Sequence, residues 1–375
     1  MINIKDIKDI KVLIICDTFN IGGIQRLALD QAYSLSNRGI LSEILILSSK
    51  EIAKSDSFEL NEANLIKKHD IKISYLPGSK FQQMLTLKGI LSHNNYNKIF
   101  AHSLRGGVIT WLLCRAFRYK MHVSTVIHQL PSFSSPVQRF KRMLYSQFCD
   151  NLYIFSVAAK NDWLSNQSSS LLFRLITKRR KVSVCRNGVY LPRLDYNMEN
   201  TGNSTDLKRL IFIGRLTAWK GLNTFLKIAQ LEQFKNLEFL IMSPSDPHEF
   251  LSELNIDTLN RITCVIGKSV SQIDFLPGDL LLYPADYGKK NSFIEGVSIN
   301  VLEMACIGVP SVISNGVETW PELFELGIFQ TVDWADIRLV ADLIQNDFRV
   351  MSSDQVLKSR RLIDINNNLD VMLQI

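Results

Sequence analysis

Apolar residues in this chain gather in short, nearly continuous runs. Those at 11–16, 42–47, 71–75, 98–101, 123–127 and 152–155 are rich in Val, Ile and Leu and read as strands. Amphipathic stretches of helix length, such as 25–37 and 85–93, lie between them. Strands apolar at successive positions must be covered on both faces, so the alternation predicts a parallel sheet flanked by helices, a doubly wound α/β unit. The pattern pauses over 190–206, where Pro192, Asn197, Asn200, Gly202, Asn203 and Ser204 cluster without apolar periodicity, and this stretch reads as a linker. It resumes with strands at 209–213, 237–241, 262–266, 280–283 and 311–313. The expectation is two Rossmann-like domains, 1–190 and 207–350, and a helical segment at 351–375 packing back towards the first domain.

Length agrees with this division, since 375 residues exceed the roughly 100–200 typical of one domain. A hydrophobic content of 46% excludes disorder. Charge sharpens the picture because it is unevenly placed. Residues 1–187 hold 27 Lys+Arg and 12 Asp+Glu, a net +15, and the remainder holds 16 and 24, a net −8, giving the overall +7. The stretch 71–149 has 11 Lys+Arg and no acidic residue. Such a field predicts an anionic partner: a phosphorylated small molecule, an anionic membrane surface or nucleic acid. The first residues, Met1 to Asp6, alternate polar and apolar and predict no signal peptide, and the apolar run 108–114 is cut off by Arg105 and Arg115, so no membrane span is expected. The six cysteines are scattered without a C-x-x-C pair and read as buried thiols of a reducing compartment. The expected location is cytoplasmic, peripheral on the inner face of the plasma membrane.

In open α/β sheets the loops after the strands carry the chemistry. After the first strand come Gly22 and Gly23, which open a helix and let backbone N–H groups approach a phosphate, with Arg26 one turn in. An ordinary glycine turn would look the same. In the second half, a strand ends at Gly214, and Arg215 and Lys220 follow before a helix. Two exposed cations there suit a diphosphate, Arg as a fork and Lys as a point charge. Further on, Glu295-Gly296-Val297-Ser298 lead through Asn300 to Glu303, with Gly308 and Pro310 ending the helix. Along one continuous helix the two carboxylates would stand about 12 Å apart, too far to share a reacting atom. With Glu295 ahead of the helix and Glu303 inside it, they can grip two ends of one ligand, and the free N–H groups from Gly296 to Asn300 can receive a phosphate or a sugar hydroxyl.

Taken in order, Gly-Gly-x-x-Arg at 22–26, Arg186-Asn187-Gly188-Val189, Gly214-Arg215 with Lys220-Gly221, and Glu295-Gly296 through Glu303 to Gly308-x-Pro310 resemble the retaining nucleotide-sugar glycosyltransferases of glycosyltransferase family 4 (glycosyl transferases group 1). The resemblance covers nearly the whole chain and implies the GT-B fold, two facing Rossmann-like domains with a cleft between them. Val297-Ser298 and Met304 depart from the usual pattern, which bears on the donor sugar more than on the family. By resemblance, Arg215 and Lys220 bind the donor diphosphate, Gly23 approaches the phosphates, Glu303 holds the ribose hydroxyls, and Glu295 with the 296–298 backbone holds the sugar. His128, at the end of a strand, matches a histidine that contacts the sugar. His102 and Asn187 are further substrate candidates, although a histidine in such a place is more often simply packed.

The resemblance implies transfer of a hexose or N-acetylhexosamine from a UDP- or GDP-sugar to a glycan or glycolipid acceptor, with retention, in the synthesis of a cell-surface polysaccharide or lipopolysaccharide. No D-x-D triplet occurs and the histidines lack metal-ligand spacing, so no metal and no cofactor is expected. The segments 138–144 and 171–181 mix cations with bulky apolar residues as interfacial segments do, though a solvated basic helix fits them nearly as well. A sugar-nucleotide epimerase or hydrolase is the competing enzymatic reading. Nucleic acid is not the expected partner, because recognition-helix, zinc and aromatic RNA-binding signatures are missing.

Overall fold

A computed structural model describes residues 10–19, 22–48, 56–128, 136–168, 182–194, 206–285 and 295–374. The chain divides into two compact units, one of residues 1–190 with 365–375, the other of residues 191–364.

Unit 1 is built on seven parallel strands: β1 (Lys11–Cys16), β2 (Leu41–Ile46), β3 (Lys72–Tyr75), β4 (Lys98–Ala101), β5 (His122–Ile127), β6 (Asn151–Ile154) and β7 (Val182–Val184). Their spatial order is β3-β2-β1-β4-β5-β6-β7, with the direction of winding reversing between β1 and β4. Val12 to Cys16 are fully excluded from solvent, as a central parallel strand requires. The helix α1 (Gly23–Asn37) is buried at every position from Gln25 to Leu35. Sheet covers one side of it and the C-terminal helix of the chain another.

Unit 2 repeats the plan with β8 (Arg209–Ile213), β9 (Glu238–Ser243), β10 (Ile262–Ile266), β11 (Asp279–Tyr283), β13 (Ser311–Ser314) and β15 (Phe329–Val332), ordered β10-β9-β8-β11-β13-β15 and again parallel. A separate two-strand ladder joins β12 (Glu295–Gly296) to β14 (Val317–Glu318). The helices that matter below are α2 (Leu222–Ala229), α3 (Ile299–Cys306), α4 (Ser353–Ile363) and α5 (Ile365–Leu373). Phe212, Phe225 and Phe239 interlock in its core, with ring centroids 5.7 and 5.8 Å apart. Arg209 and Asp279, paired at 2.6 Å, tie the starts of β8 and β11 together. The fold class is the α/β one expected. Of the strands in the two large sheets, sequence missed β7 and β15, both at sheet edges, and it also missed the short β12–β14 ladder.

Two boundaries differ from expectation. The stretch 190–206 is not wholly a linker: Tyr190 is buried in unit 1, and Leu191–Arg193 form a 3-10 turn whose Arg193 is 5% exposed. Residues 195–205 lie outside the described residues, as does the basic segment 171–181. The C-terminal segment is split, α4 belonging to unit 2 and α5 to unit 1. All six cysteines are free, and five are buried. Among the described residues no helix is long and apolar enough to cross a membrane.

Close backbone approach fixes where α5 sits. A Cβ at Gly188 would come within 2.7 Å of the Ile365 Cα, and the Ile365 N–H donates to Val189 O at 3.0 Å. Gly188→Ala should therefore destabilise unit 1 by about 1–3 kcal/mol through overpacking. The check is a shifted denaturation midpoint with faster amide exchange across 365–373; unchanged exchange there would contradict this account of α5.

Candidate functional site

The carboxyl edge of the unit 2 sheet collects most of the expected residues. β8 ends at Ile213, and Gly214 N–H donates to Met242 O at 3.0 Å, so the chain leaves the sheet directly between β8 and β9. Arg215 then stands exposed and forms no ion pair among the described residues. Lys220 is not the exposed cation expected: it is 8% exposed, its ammonium donates to the Tyr283 hydroxyl, and it lies 4.1 Å from the Trp219 ring centroid and 4.7 Å from that of Tyr283. Two π faces replace part of its lost hydration. Tyr283 ends β11, across the switch point from β8. It was missed by sequence, where its only signal was a polar tip at the end of an apolar strand. Gly221 makes the turn possible, since with φ at +80° a Cβ there would lie 1.9 Å from Pro284 O.

The helix α3 begins after Ser298, whose backbone is extended and whose side chain caps nothing. The Ser298 hydroxyl is shielded from solvent and has no hydrogen-bond partner among the described residues. A helix's first-turn N–H groups have no partner within the helix, so this hydroxyl stands beside further donors at the start of α3. Gly296, on the β12–β14 ladder, and Val297 after it are buried, and Asn300 is half-buried in the first turn of α3. Of Glu295 the backbone alone is described, paired with Val317. Glu303 is 3% exposed, and its Oε1 accepts from Arg193 at 2.5 Å. Arg193 lies in the stretch read as linker, so sequence gave no hint of the pair.

The carboxyl edge of the unit 1 sheet holds the other group. Gly22 precedes α1 in extended conformation, and Gly23 begins it. Arg26 does not reach outward from this turn; it is 8% exposed, and its Nη1 pairs with Glu62 at 2.7 Å. Asn187 follows β7 and is half-buried. His102 follows β4, and its N–H donates to Ile15 O at 2.8 Å. His128 follows β5, and the two imidazoles stack with centroids 5.3 Å apart, His102 Nδ1 lying 3.0 Å from His128 Nε2. Burial pulls His128 down to about 4 and holds His102 well below the usual range, the neighbouring His128 adding to the latter. Both rings are therefore neutral at pH 7. Among the described residues no three His, Cys, Asp or Glu side chains converge to hold a metal ion.

Two outcomes follow. The unfolded chain takes up protons at these histidines below about pH 6.5 while the native one does not, so stability should fall as pH drops from about 6.5 towards 4, by up to about 1.4 kcal/mol per unit for each ring. Urea titrations across that window check it, and the slope should flatten in His128→Gln; an unchanged slope would contradict the depressed value. Arg193→Ala should cost about 3–5 kcal/mol by leaving a buried carboxylate uncompensated, read as a lowered denaturation midpoint.

The model of the family "Glycosyl transferases group 1" matches residues 195–342. A 2-deoxystreptamine N-acetyl-D-glucosaminyltransferase of Niallia circulans is 24% identical over 289 residues, 72% of this chain and 70% of that protein. Among solved structures, Anabaena Alr3699/HepE in complex with UDP-glucose superposes with a TM-score of 0.69 at 13% identity, covering 97% of this chain and 98% of that one. The lipopolysaccharide outer core galactosyltransferase WaaB superposes with a TM-score of 0.63 at 12% identity, covering 97% and 99%. The fold is thus the GT-B form of the α/β class, and residues 195–342 are similar to the glycosyl transferases group 1 family.

Proposed function

We propose that the chain is a retaining, metal-independent glycosyltransferase of family 4, moving a hexose or N-acetylhexosamine from a UDP- or GDP-sugar to a glycan or glycolipid acceptor in cell-surface polysaccharide or lipopolysaccharide synthesis. The observation that carries this reading is the pairing of exposed Arg215 with buried Lys220 at the switch point of unit 2. A cation held against Tyr283 and Trp219 loses little side-chain entropy when a diphosphate arrives, and its charge acts at low dielectric. Arg215, facing solvent, supplies a fork for the same anion. The Ser298 hydroxyl and the first-turn N–H groups of α3 offer donors to phosphate or sugar oxygens.

In this reading the protein stabilises the leaving nucleotide, and that diphosphate helps to deprotonate the acceptor on the same face of the sugar. Arg215, Lys220, Glu295 and His128 touch the reacting sugar nucleotide. Glu303, through its pair with Arg193, holds α3 in place while still offering its second oxygen to a ribose. The relatives support the donor class: one is named for N-acetylglucosamine transfer, another is solved with UDP-glucose. WaaB, a lipopolysaccharide galactosyltransferase, supports the product class. The basic stretch 71–149 and the segment 138–144 then face an anionic membrane or a phosphorylated glycolipid, placing the protein at the cytoplasmic face of the membrane.

Because Lys220 is buried, the test uses two variants. Lys220→Met keeps the apolar stem between the rings, and Lys220→Ala removes it. Sugar transfer from a UDP- or GDP-sugar to a lipid-linked acceptor, measured with EDTA present, should proceed in the natural chain and fall at least a hundredfold in Lys220→Met, with the fold unchanged by circular dichroism. Undiminished turnover in both variants would contradict the diphosphate assignment. Dependence on added magnesium or manganese would contradict the metal-independent step.

A further inference from the structure

A chain of buried polar side chains runs behind the two histidines of unit 1 and reaches the C-terminal helix. Asn368 Nδ2 donates to Arg186 O at 2.8 Å and to Cys185 Sγ at 3.1 Å. A carbonyl oxygen accepts only, so the amide orientation of Asn368 is fixed, and its Oδ1 points the other way. That oxygen receives Gln31 Nε2 at 2.8 Å, and the same nitrogen reaches Met372 Sδ at 3.2 Å. Two acceptors on one nitrogen fix the amide of Gln31 as well, which leaves Gln31 Oε1 facing His102 Nε2 at 2.8 Å. An amide oxygen accepts only, so His102 carries its proton on Nε2 and a lone pair on Nδ1. His102 Nδ1 meets His128 Nε2 at 3.0 Å, so His128 must donate from Nε2 and keep a lone pair on Nδ1.

The members that set this order are well buried: Gln31 is 0% exposed, His102 4% and Asn368 5%. His128, half-buried, ends the chain, and its Nδ1 has no hydrogen-bond partner among the described residues. Nothing about packing requires a glutamine inside α1 or an asparagine inside α5; apolar residues would fill those places without the cost of burying amides. The chain accounts for both.

We propose that Asn368, Gln31 and His102 are positioning residues that lock His128 as the Nε2–H tautomer, so that it presents a lone pair at Nδ1 to a hydroxyl of the sugar substrate. This rests on the reading of His128 as a substrate contact and makes it more specific. The ring accepts a hydrogen bond from an O–H donor and disfavours an acceptor-only group, such as a carboxylate, in the same place. Selection by an acceptor that cannot turn into a donor is the kind that rejects a wrong group through an unsatisfied or repulsive pair.

The experiment reads tautomers directly, by long-range 1H–15N correlation of the imidazole signals in the full-length protein at neutral pH, with His128→Gln used to assign the ring. In the free protein His128 should show a protonated Nε2 and a bare Nδ1. A protonated Nδ1 there would overturn the lock, whether or not the protein is a transferase. Gln31→Leu removes the acceptor of His102 Nε2–H, so His102 should shift its proton to Nδ1 and donate to His128, moving the His128 proton towards its own Nδ1. An unchanged His128 tautomer in a folded Gln31→Leu protein would overturn the positioning role. The free-protein spectrum stands as a test independent of whether that variant folds. UDP-glucose, UDP-N-acetylglucosamine and GDP-mannose are then added in turn. Whichever of them raises thermal stability should shift the His128 Nδ1 signal towards that of a hydrogen-bonded acceptor. A stabilising sugar nucleotide that leaves this signal unmoved would overturn the substrate contact. Stabilisation by none of them would overturn the proposed function and leave the tautomer lock to stand on the free-protein spectrum.

Discussion

Covering both faces of a parallel sheet is the constraint from which the rest of each unit follows. β1 is sealed from Val12 to Cys16 and β8 from Leu210 to Phe212, so neither can carry a functional side chain along its length. Polar chemistry is pushed to the strand ends. In both sheets the chain winds outward in two directions from a central strand, and the crossovers diverge between β1 and β4 and between β8 and β11. The carboxyl edges beside those points are where backbone turns can expose donors without opening the core. Gly22 and Gly23 in one unit, and Gly214 with Lys220 and Tyr283 in the other, occupy them.

The two units bury polar groups beside these edges by different means. At the edge of unit 2 charge is buried: Arg193 pairs with Glu303, and Lys220 with the Tyr283 hydroxyl between two rings. Each pair must recover a large desolvation cost through contact geometry, and losing one partner strands the other. At the corresponding edge of unit 1 the chain from Asn368 to His128 is made of neutral amides and imidazoles. Such groups cost less to bury, but each bond is directional, so one fixed amide sets every proton along the row. The cations of the unit 2 edge suit a ligand bearing phosphate, and the neutral chain ending at His128 suits hydroxyls.

Much of this was legible in the chain. Eleven strands were expected and are found, nine of them inner parallel strands that read as continuous apolar runs. β7 and β15 escaped because edge strands are covered less completely and tolerate Ser183, Gln330 and Thr331. The turns carrying Gly214, Arg215 and Lys220 were readable from their position after a strand. Tyr283, Arg193, Gln31 and Asn368 were not, since each matters through a partner far along the chain; Gln31 and Asn368 are 337 positions apart. The same limit hid the ion pairs that Arg26 and Glu303 make. Local spacing suggests anion binding at Arg26 and the resemblance implies ribose binding at Glu303, while Glu62 and Arg193, which pair with them, come from other elements.

The central claim is that unit 2 receives a nucleoside diphosphate at Arg215 and Lys220. Calorimetric titration of the full chain with UDP and with GDP, in the presence of EDTA, tests it most directly. The account predicts saturable one-site binding of at least one of the two, weakened by added salt because two cations meet the phosphates. Absence of saturable binding by both nucleotides to the folded protein would contradict it.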